Sequence, residues 1–356
     1  MSGKFIKELK VLITLIVVCL AIKDTLVEVY IVPTGSMEET ILVGDMLIGS
    51  KFMYGMRTPT WIGIPYTRAG FYIPSIRFPK FKDLERYDVT IFEFPRDPFQ
   101  KYVKRCIGVA GDKVLMNSGQ FFVNNEVFPF PPAGNMIDRK IKDRILEFDE
   151  PDPMGKLYSY FYGNRDNIRE FTVPYKGMEI DVKEMAKNYP LHLLIMLIQD
   201  KNDVEIIIDD KKGAANRFKF SLIDPKEIAS TQGFLKYAFL EKVTFRSWQS
   251  ELRESVLNNI RDMKMENRKN SVLNPWEIPI QDLKKIFNKV KVNGVSIMEL
   301  DTYTLKHDYY FLVGDNRHNS YDSRYWGFVP EYQILGTPVY SVLNINKPSL
   351  RFEVVN

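Results

Sequence analysis

Cysteine is almost missing from this chain. Cys19 and Cys106 are the only two in 356 residues, too few for a disulfide-rich scaffold. Cys19 falls in an apolar run and Cys106 in a strand-like stretch, so both are expected to be buried free thiols. Histidine is nearly as scarce. His192, His307 and His318 stand apart with no ligand spacing around them, and no metal site is expected. The charge of one sign is also small, a net +4 from 49 basic and 45 acidic residues. With no dense basic stripe carrying stacking aromatics, nucleic acid is not an expected partner. No internal repeat or low-complexity tract stands out, no cofactor is expected, and the chain is expected to act as a monomer.

What the sequence does hold is a folded composition, 45% hydrophobic and 26% charged. Its 19 Tyr and 24 Phe, broken up by 20 Pro, favour short strands over long helices. There is one strongly apolar run, VLITLIVVCLAI at residues 11–22, preceded by Lys4, Lys7 and Lys10 with only Glu8 to offset them. The run is shorter than the roughly 20 residues that span a hydrocarbon core. Lys10 and Lys23 can snorkel, and Phe5, Ile6, Leu26 and Val27 extend its apolar character. A cleaved signal peptide has the same charged start, but no small-x-small site follows. Residues 1–28 are therefore expected to form an uncleaved anchor, with a buried or interfacial helix as an alternative. The positive flank places the N-terminus in the cytoplasm and the remainder outside.

After the anchor, EVYIVPTGSM suggests a short strand entering a turn, and Gly44-Asp45 a turn before another strand. Residues 55–80, rich in Pro, Gly and aromatics, suggest an extended loop whose Tyr66, Phe71 and Tyr72 could rest on a membrane interface. YDVTIFEFP reads as a strand and KYVKRCIGVAGDKVLM as strand, turn and strand. NSGQFFVNNEVFPF reads as hairpins with turns at Ser118-Gly119 and Asn124-Asn125. Beyond residue 130 the character changes. EMAKNYPLHLLIMLIQ and ESVLNNIRDMKMENRKNSV are helical in pattern, with DVEIIIDD and KYAFLEKVTF strand-like between them. VNGVSIMEL, DYYFLVGDN and GTPVYSVLNI return to strand and turn. The expected organisation is an anchor (1–28), a mostly β core in two parts (29–129 and 296–356), and an inserted mixed α/β lobe (130–295).

Three segments can carry chemistry. In PTGSMEETILVGDML, residues 33–47, Ser36 has Glu39 three residues on, the spacing of a capping box, so Ser36 is either a helix cap or a nucleophile. In KYVKRCIGV, period-two alternation puts Tyr102, Lys104 and Cys106 on one face. A lysine there is either a rim residue or, once desolvated, a neutral amine able to take a serine proton. None of the three histidines lies in a segment expected to join Ser36, and Ser–Lys pairs follow the same logic as a histidine triad. The third segment, YYFLVGDNRHNSYDSRYWGFVP at residues 309–330, is a strand followed by Asp315, Asn316, Arg317, Asn319, Ser320, Asp322, Ser323 and Arg324. Such groups shape turns, and Asp322 with Arg324 can pair. A loop built to hold a hydroxyl against an amine needs the same supply.

Taken together, PTGSMEET, RYDVTIFEFP through KYVKRCIGVAGDKV, and VGDNRHNSYDSRYWGFVP resemble the boxes of type I signal peptidase, the membrane-bound Ser–Lys endopeptidase that removes leader sequences. The resemblance extends to the anchor and the NSGQFFVNNE hairpin. It implies a signal-peptidase-type antiparallel β catalytic core, Ser36 as nucleophile and Lys104 as general base. It also implies Thr34 as a hydroxyl donor to the oxyanion, Ser320 as the residue orienting the lysine, and Asp322 with Arg324 as a supporting pair. Gly314, Asp315, Asn316 and Ser323 would shape the loop. It further implies signal-peptide-bearing preproteins and a lipid bilayer as partners, in a bacterial inner membrane crossed once. Small side chains would be accepted at the first and third residues before the cut. The chain departs at Glu39, where the family usually has proline and a capping box could substitute, and at His318, where aspartate is frequent. Two other classes are a self-cleaving regulator or other Ser–Lys hydrolase, and a catalytically silent membrane scaffold.

Overall fold

The computed structural model of the chain describes residues 5, 7–15, 26–58, 61–63, 70–72, 74–95, 97–136, 144–153, 157–158, 160–209, 215–220, 287–346 and 349–355. The fold is mostly β. Its main sheet of eight strands runs in the order Val27–Ile31, Asp45–Ser50, Ile334–Asn344, Val89–Phe94, Asp97–Gly108, Tyr309–Val313 and Val329–Pro330, with Ser349–Val354 also on Ile334–Asn344. Every pairing in it is antiparallel. Strands from either end of the sequence thus interleave, and the loop after Tyr309–Val313 lands beside the strand that carries Lys104.

The strand Val89–Phe94 is buried along its whole length, as a continuous VTIFEF run at the centre of a sheet should be. Its one charge, Glu93, is held by Arg57 at 2.6 Å and Lys101 at 2.9 Å. Two hairpin turns fall at Ser118-Gly119 and Asn124-Asn125, all four residues at positive φ, which Gly and Asn tolerate best.

A five-stranded sheet joins Lys113–Asn117, Gln120–Val123 and Glu126–Val127 to Gly163–Asn164 and Asn167–Thr172. It therefore draws strands from both sides of residue 130. Its side chains share one apolar cluster with the helix Pro190–Gln199 and with Tyr309, Phe311 and Phe328. Pro190 does not interrupt a helix here. It opens one, following the separate helix Val182–Asn188, because a first-turn N–H has no partner to lose. Val204–Asp209 pairs with Ala215–Phe220 and Val290–Val292.

The 55–80 stretch holds a short hairpin, Trp61–Gly63 against Gly70–Tyr72, where a loop without strands was expected. Tyr66 lies outside the described residues, as do the KYAFLEKVTF and ESVLNNIRDMKMENRKNSV segments. At the N-terminus, residues 7–15 are helical and exposed. Among the described residues no helix is long and apolar enough to cross a membrane. Residues 16–25, the second half of the apolar run, lie outside them.

Candidate active site

Ser36 sits on the turn that follows Val27–Ile31. The chain leaves the strand at Val32, whose N–H donates to Asp45 O at 3.0 Å, and returns at Gly44, whose N–H donates to Val32 O at 2.8 Å. Between them Glu38 N–H bonds Gly35 O at 3.0 Å and Ile41 N–H bonds Met37 O at 2.7 Å. No helix starts here, so the capping-box reading of Ser36 and Glu39 does not hold. Glu39 has φ of 78°, in the left-handed region that ends a helix and that the proline ring cannot adopt. Met37 and Ile41, 2% and 1% exposed, pin the turn to Leu47 and Val89 beneath it. Burying two such side chains contributes about 1.5–3 kcal/mol each.

Lys104 comes to this turn from the strand Asp97–Gly108, where it lies opposite Thr90. Its Nζ is 2.5 Å from Ser36 Oγ and donates to Val103 O at 2.9 Å. The side chain is buried, and among the described residues no carboxylate pairs with it. Burial lowers its pKa from 10.5 to about 8, against Asp322 and Asp315, which pull it up, and with Arg324 pushing it down. The Tyr102 ring lies 5.6 Å from Nζ, and a ring face there favours the ammonium, so exclusion of water is the effect that wins.

The loop after Tyr309–Val313 closes over the turn. Gly314 is required by space, since a side chain there would meet Ser320 Oγ and come within 2.5 Å of Ser36 O. Asp315 accepts from Arg105 Nε at 2.9 Å and Nη2 at 2.8 Å, and from Thr40 Oγ1 at 2.7 Å. Asn316 donates its N–H to Ser36 O at 3.1 Å and its amide to Gly35 O at 2.9 Å. Arg324 forks onto Asp322 at 2.8 and 2.9 Å, both buried completely. Burial alone would raise the Asp322 pKa, but Arg324 outweighs it and holds the carboxyl below its usual range. The same carboxylate accepts from Gly314 N–H at 3.1 Å, and Ser323 Oγ accepts from Leu312 N–H at 3.0 Å.

The residues expected from sequence thus gather on one turn, one strand and one loop, with two differences. Ser320 is fully buried, and its side chain stands near Asp322 instead of hydrogen-bonding Lys104. Thr34 lies half-buried two residues before Ser36, with no hydrogen bond from its hydroxyl to other described residues. Arg105 and Thr40 were not expected. Nothing local in the sequence names the partner of Arg105, which lies 210 residues away.

The family described as "Signal peptidase, peptidase S26" matches residues 5–173 and 253–343. A protein named Signal peptidase I from Buchnera aphidicola subsp. Acyrthosiphon pisum (strain APS) is 24% identical over 346 residues, 96% of this chain and 76% of that one. Proteins of the same name from Rickettsia bellii (strain OSU 85-389) and Rickettsia canadensis (strain McKiel) are each 32% identical, over 154 and 146 residues. Those matches cover 43% and 40% of this chain, and about half of each relative, 50% and 52%.

Proposed function

Since the chain belongs to the signal peptidase family, peptidase S26, and is a serine endopeptidase of that kind, we propose that it removes N-terminal signal peptides from exported preproteins with a Ser36–Lys104 dyad. The observation that carries this reading is a buried lysine amine 2.5 Å from a serine hydroxyl, with no carboxylate on the amine among the described residues. A neutral amine in that position accepts the Ser36 Oγ proton as the oxygen attacks the scissile carbonyl carbon. Negative charge then develops on the carbonyl oxygen, where the Ser36 N–H and the Thr34 hydroxyl stabilise it. As the tetrahedral carbon collapses, the C–N bond breaks and Lys104 hands its proton to the leaving amine. A water then loses a proton to Lys104 and attacks the acyl ester, and the proton returns to Ser36 Oγ as the acid departs.

The rest of the loop holds this pair in place. Asn316 fixes the carbonyls of Gly35 and Ser36. Asp315 ties Thr40 of the nucleophile turn to Arg105, the neighbour of Lys104. The substrate lies extended, contributing main-chain hydrogen bonds to a strand edge, with small side chains at the first and third residues before the cut. Residues 1–28 anchor the enzyme in the membrane that holds its substrate, raising effective concentration without a new contact at the scissile bond.

The test is cleavage of a leader-bearing precursor by purified Ser36→Ala and Lys104→Arg enzymes. Both lose turnover while remaining folded, because alanine lacks the nucleophile and a guanidinium stays protonated. Wild-type rates in either variant would overturn the dyad.

A further inference from the structure

His318 and Asp166 join the catalytic loop to the segment that follows residue 130. His318 has no exposed side-chain surface and Asp166 only 2%, and His318 Nε2 lies 2.7 Å from Asp166 Oδ1. Asp166 sits in the tight turn between Gly163–Asn164 and Asn167–Thr172, and that turn is firmly held. Leu146 N–H donates to Asp166 Oδ2 at 3.0 Å, Asp166 N–H to Asn164 Oδ1 at 3.1 Å, and Gly119 N–H to Asp166 O at 2.7 Å. The preceding residue takes part as well, since Arg324 Nη1 donates to Arg165 O at 2.9 Å.

On the other side of the contact, His318 is the middle of the single-turn helix Arg317–Asn319, which begins directly after Asn316. Asn316 is the residue that grips the Ser36 and Gly35 carbonyls. Arg317 N–H donates to Asn135 O at 2.8 Å, and the Arg317 guanidinium lies between the Phe121 and Phe130 rings at 4.8 and 4.9 Å. A route of short contacts therefore runs from the Asp166 turn through His318 to the backbone of the nucleophile. Main-chain bonds along the route survive if the side-chain pair is removed. What is lost is the side-chain contact that ties His318 to the Asp166 turn, while Arg324 Nη2 still donates to Arg317 O at 2.6 Å.

We propose that Asp166, acting through His318, is a positioning residue for the Ser36 turn, so that the segment after residue 130 sets the aim of the nucleophile. This rests on the Ser36–Lys104 reading above. A carboxylate in the turn before Asn167–Thr172 faces an imidazole on the loop, and the pair holds the turn without touching substrate. Its removal leaves binding intact and misplaces Ser36 Oγ relative to Lys104. Errors of about 1 Å in such a geometry cost up to about 10² in rate.

The experiment compares full-length wild type, Asp166→Asn, Ser36→Ala, and a double variant carrying Asp166→His with His318→Asp. Cleavage of a leader-bearing peptide is measured per folded enzyme, with kcat and KM separated. Asp166→Asn lowers kcat by about 10–10² with KM within about twofold, and the exchanged pair recovers most of the loss. Wild-type kcat in Asp166→Asn, a loss confined to KM, or an exchanged pair no better than the single variant would overturn the proposal. Should Asp166→Asn fail to fold, His318→Asn breaks the same contact from the other side under the same criterion. Activity in Ser36→Ala would sink the dyad itself. An inactive Ser36→Ala beside a fully active Asp166→Asn would sink only the positioning role.

Discussion

Arg105 and Lys104 are neighbours on one strand, equally buried, and treated in opposite ways. Arg105 is forked onto Asp315, with side-chain exposures of 2% and 1%, and Arg324 is forked onto Asp322 in the same manner. Lys104 has a serine hydroxyl and a backbone carbonyl in place of a carboxylate. A buried cation beside a carboxylate keeps its proton, whereas one without it is pushed toward the neutral form. The site thus gives Arg105 and Arg324 a carboxylate each, while Lys104 has none among the described residues. That difference separates scaffold from chemistry among residues of the same sign.

The largest expected effect contrasts the two neighbours directly. Arg105→Ala strands the Asp315 carboxylate in the interior and lowers stability by about 3–5 kcal/mol. Lys104→Met removes an unpaired buried cation. The Lys104 pKa in the folded chain is about 8, below the ordinary 10.5, so the unfolded chain binds more protons between those values and wild-type stability rises with pH across that window. Below pH 8 the burial penalty is fully present, and Lys104→Met gains stability there, on the order of 3 kcal/mol at most. The gain fades as pH approaches 10.5. Denaturant unfolding of both variants at pH 7 and pH 10 decides it, and equal losses in the two would dissolve the contrast.

Next in size is Thr34→Val, which removes one oxyanion donor and lowers kcat by about 10²–10³ with little change in KM. Thr34→Ser keeps the hydroxyl and stays active. A Thr34→Val enzyme with wild-type kcat would turn that hydroxyl away from the oxyanion.

The smallest effect is at Glu39, whose left-handed backbone costs a non-glycine residue roughly 1–2 kcal/mol. Glu39→Gly stabilises by up to about 1 kcal/mol once the freer unfolded chain is counted. Glu39→Pro destabilises, because φ of 78° is closed to the ring. Thermal unfolding of the two variants shows opposite shifts if the turn has this shape.

Much of the main sheet was legible because its strands follow simple patterns. VTIFEF is a buried run, KYVKRCIG is bounded by a turn at Gly108–Gly111, and Ser118-Gly119 and Asn124-Asn125 mark hairpins at positive φ. The candidate site was legible where its chemistry is local, as with a lysine in an apolar strand and a dense polar loop after another. It was not legible where partners are remote. Arg105 meets Asp315 across 210 residues and His318 meets Asp166 across 152, and no local pattern announces either pair. The turn at Ser36 misled for a related reason. A Ser-x-x-Glu spacing describes a helix start only if the backbone stays helical, and the backbone at Glu39 does not.

The most direct test of the central claim, that desolvation of an unpaired lysine supplies the base, is the pH dependence of kcat/KM for a leader-bearing peptide. This quantity reports ionisations of the free enzyme. The lysine must lose its proton before it can accept one from Ser36, so activity rises with pH. The account predicts a single ionisation with its midpoint at about pH 8. A midpoint near the ordinary histidine value of about 6.5, or near that of a free lysine at about 10.4, would contradict it.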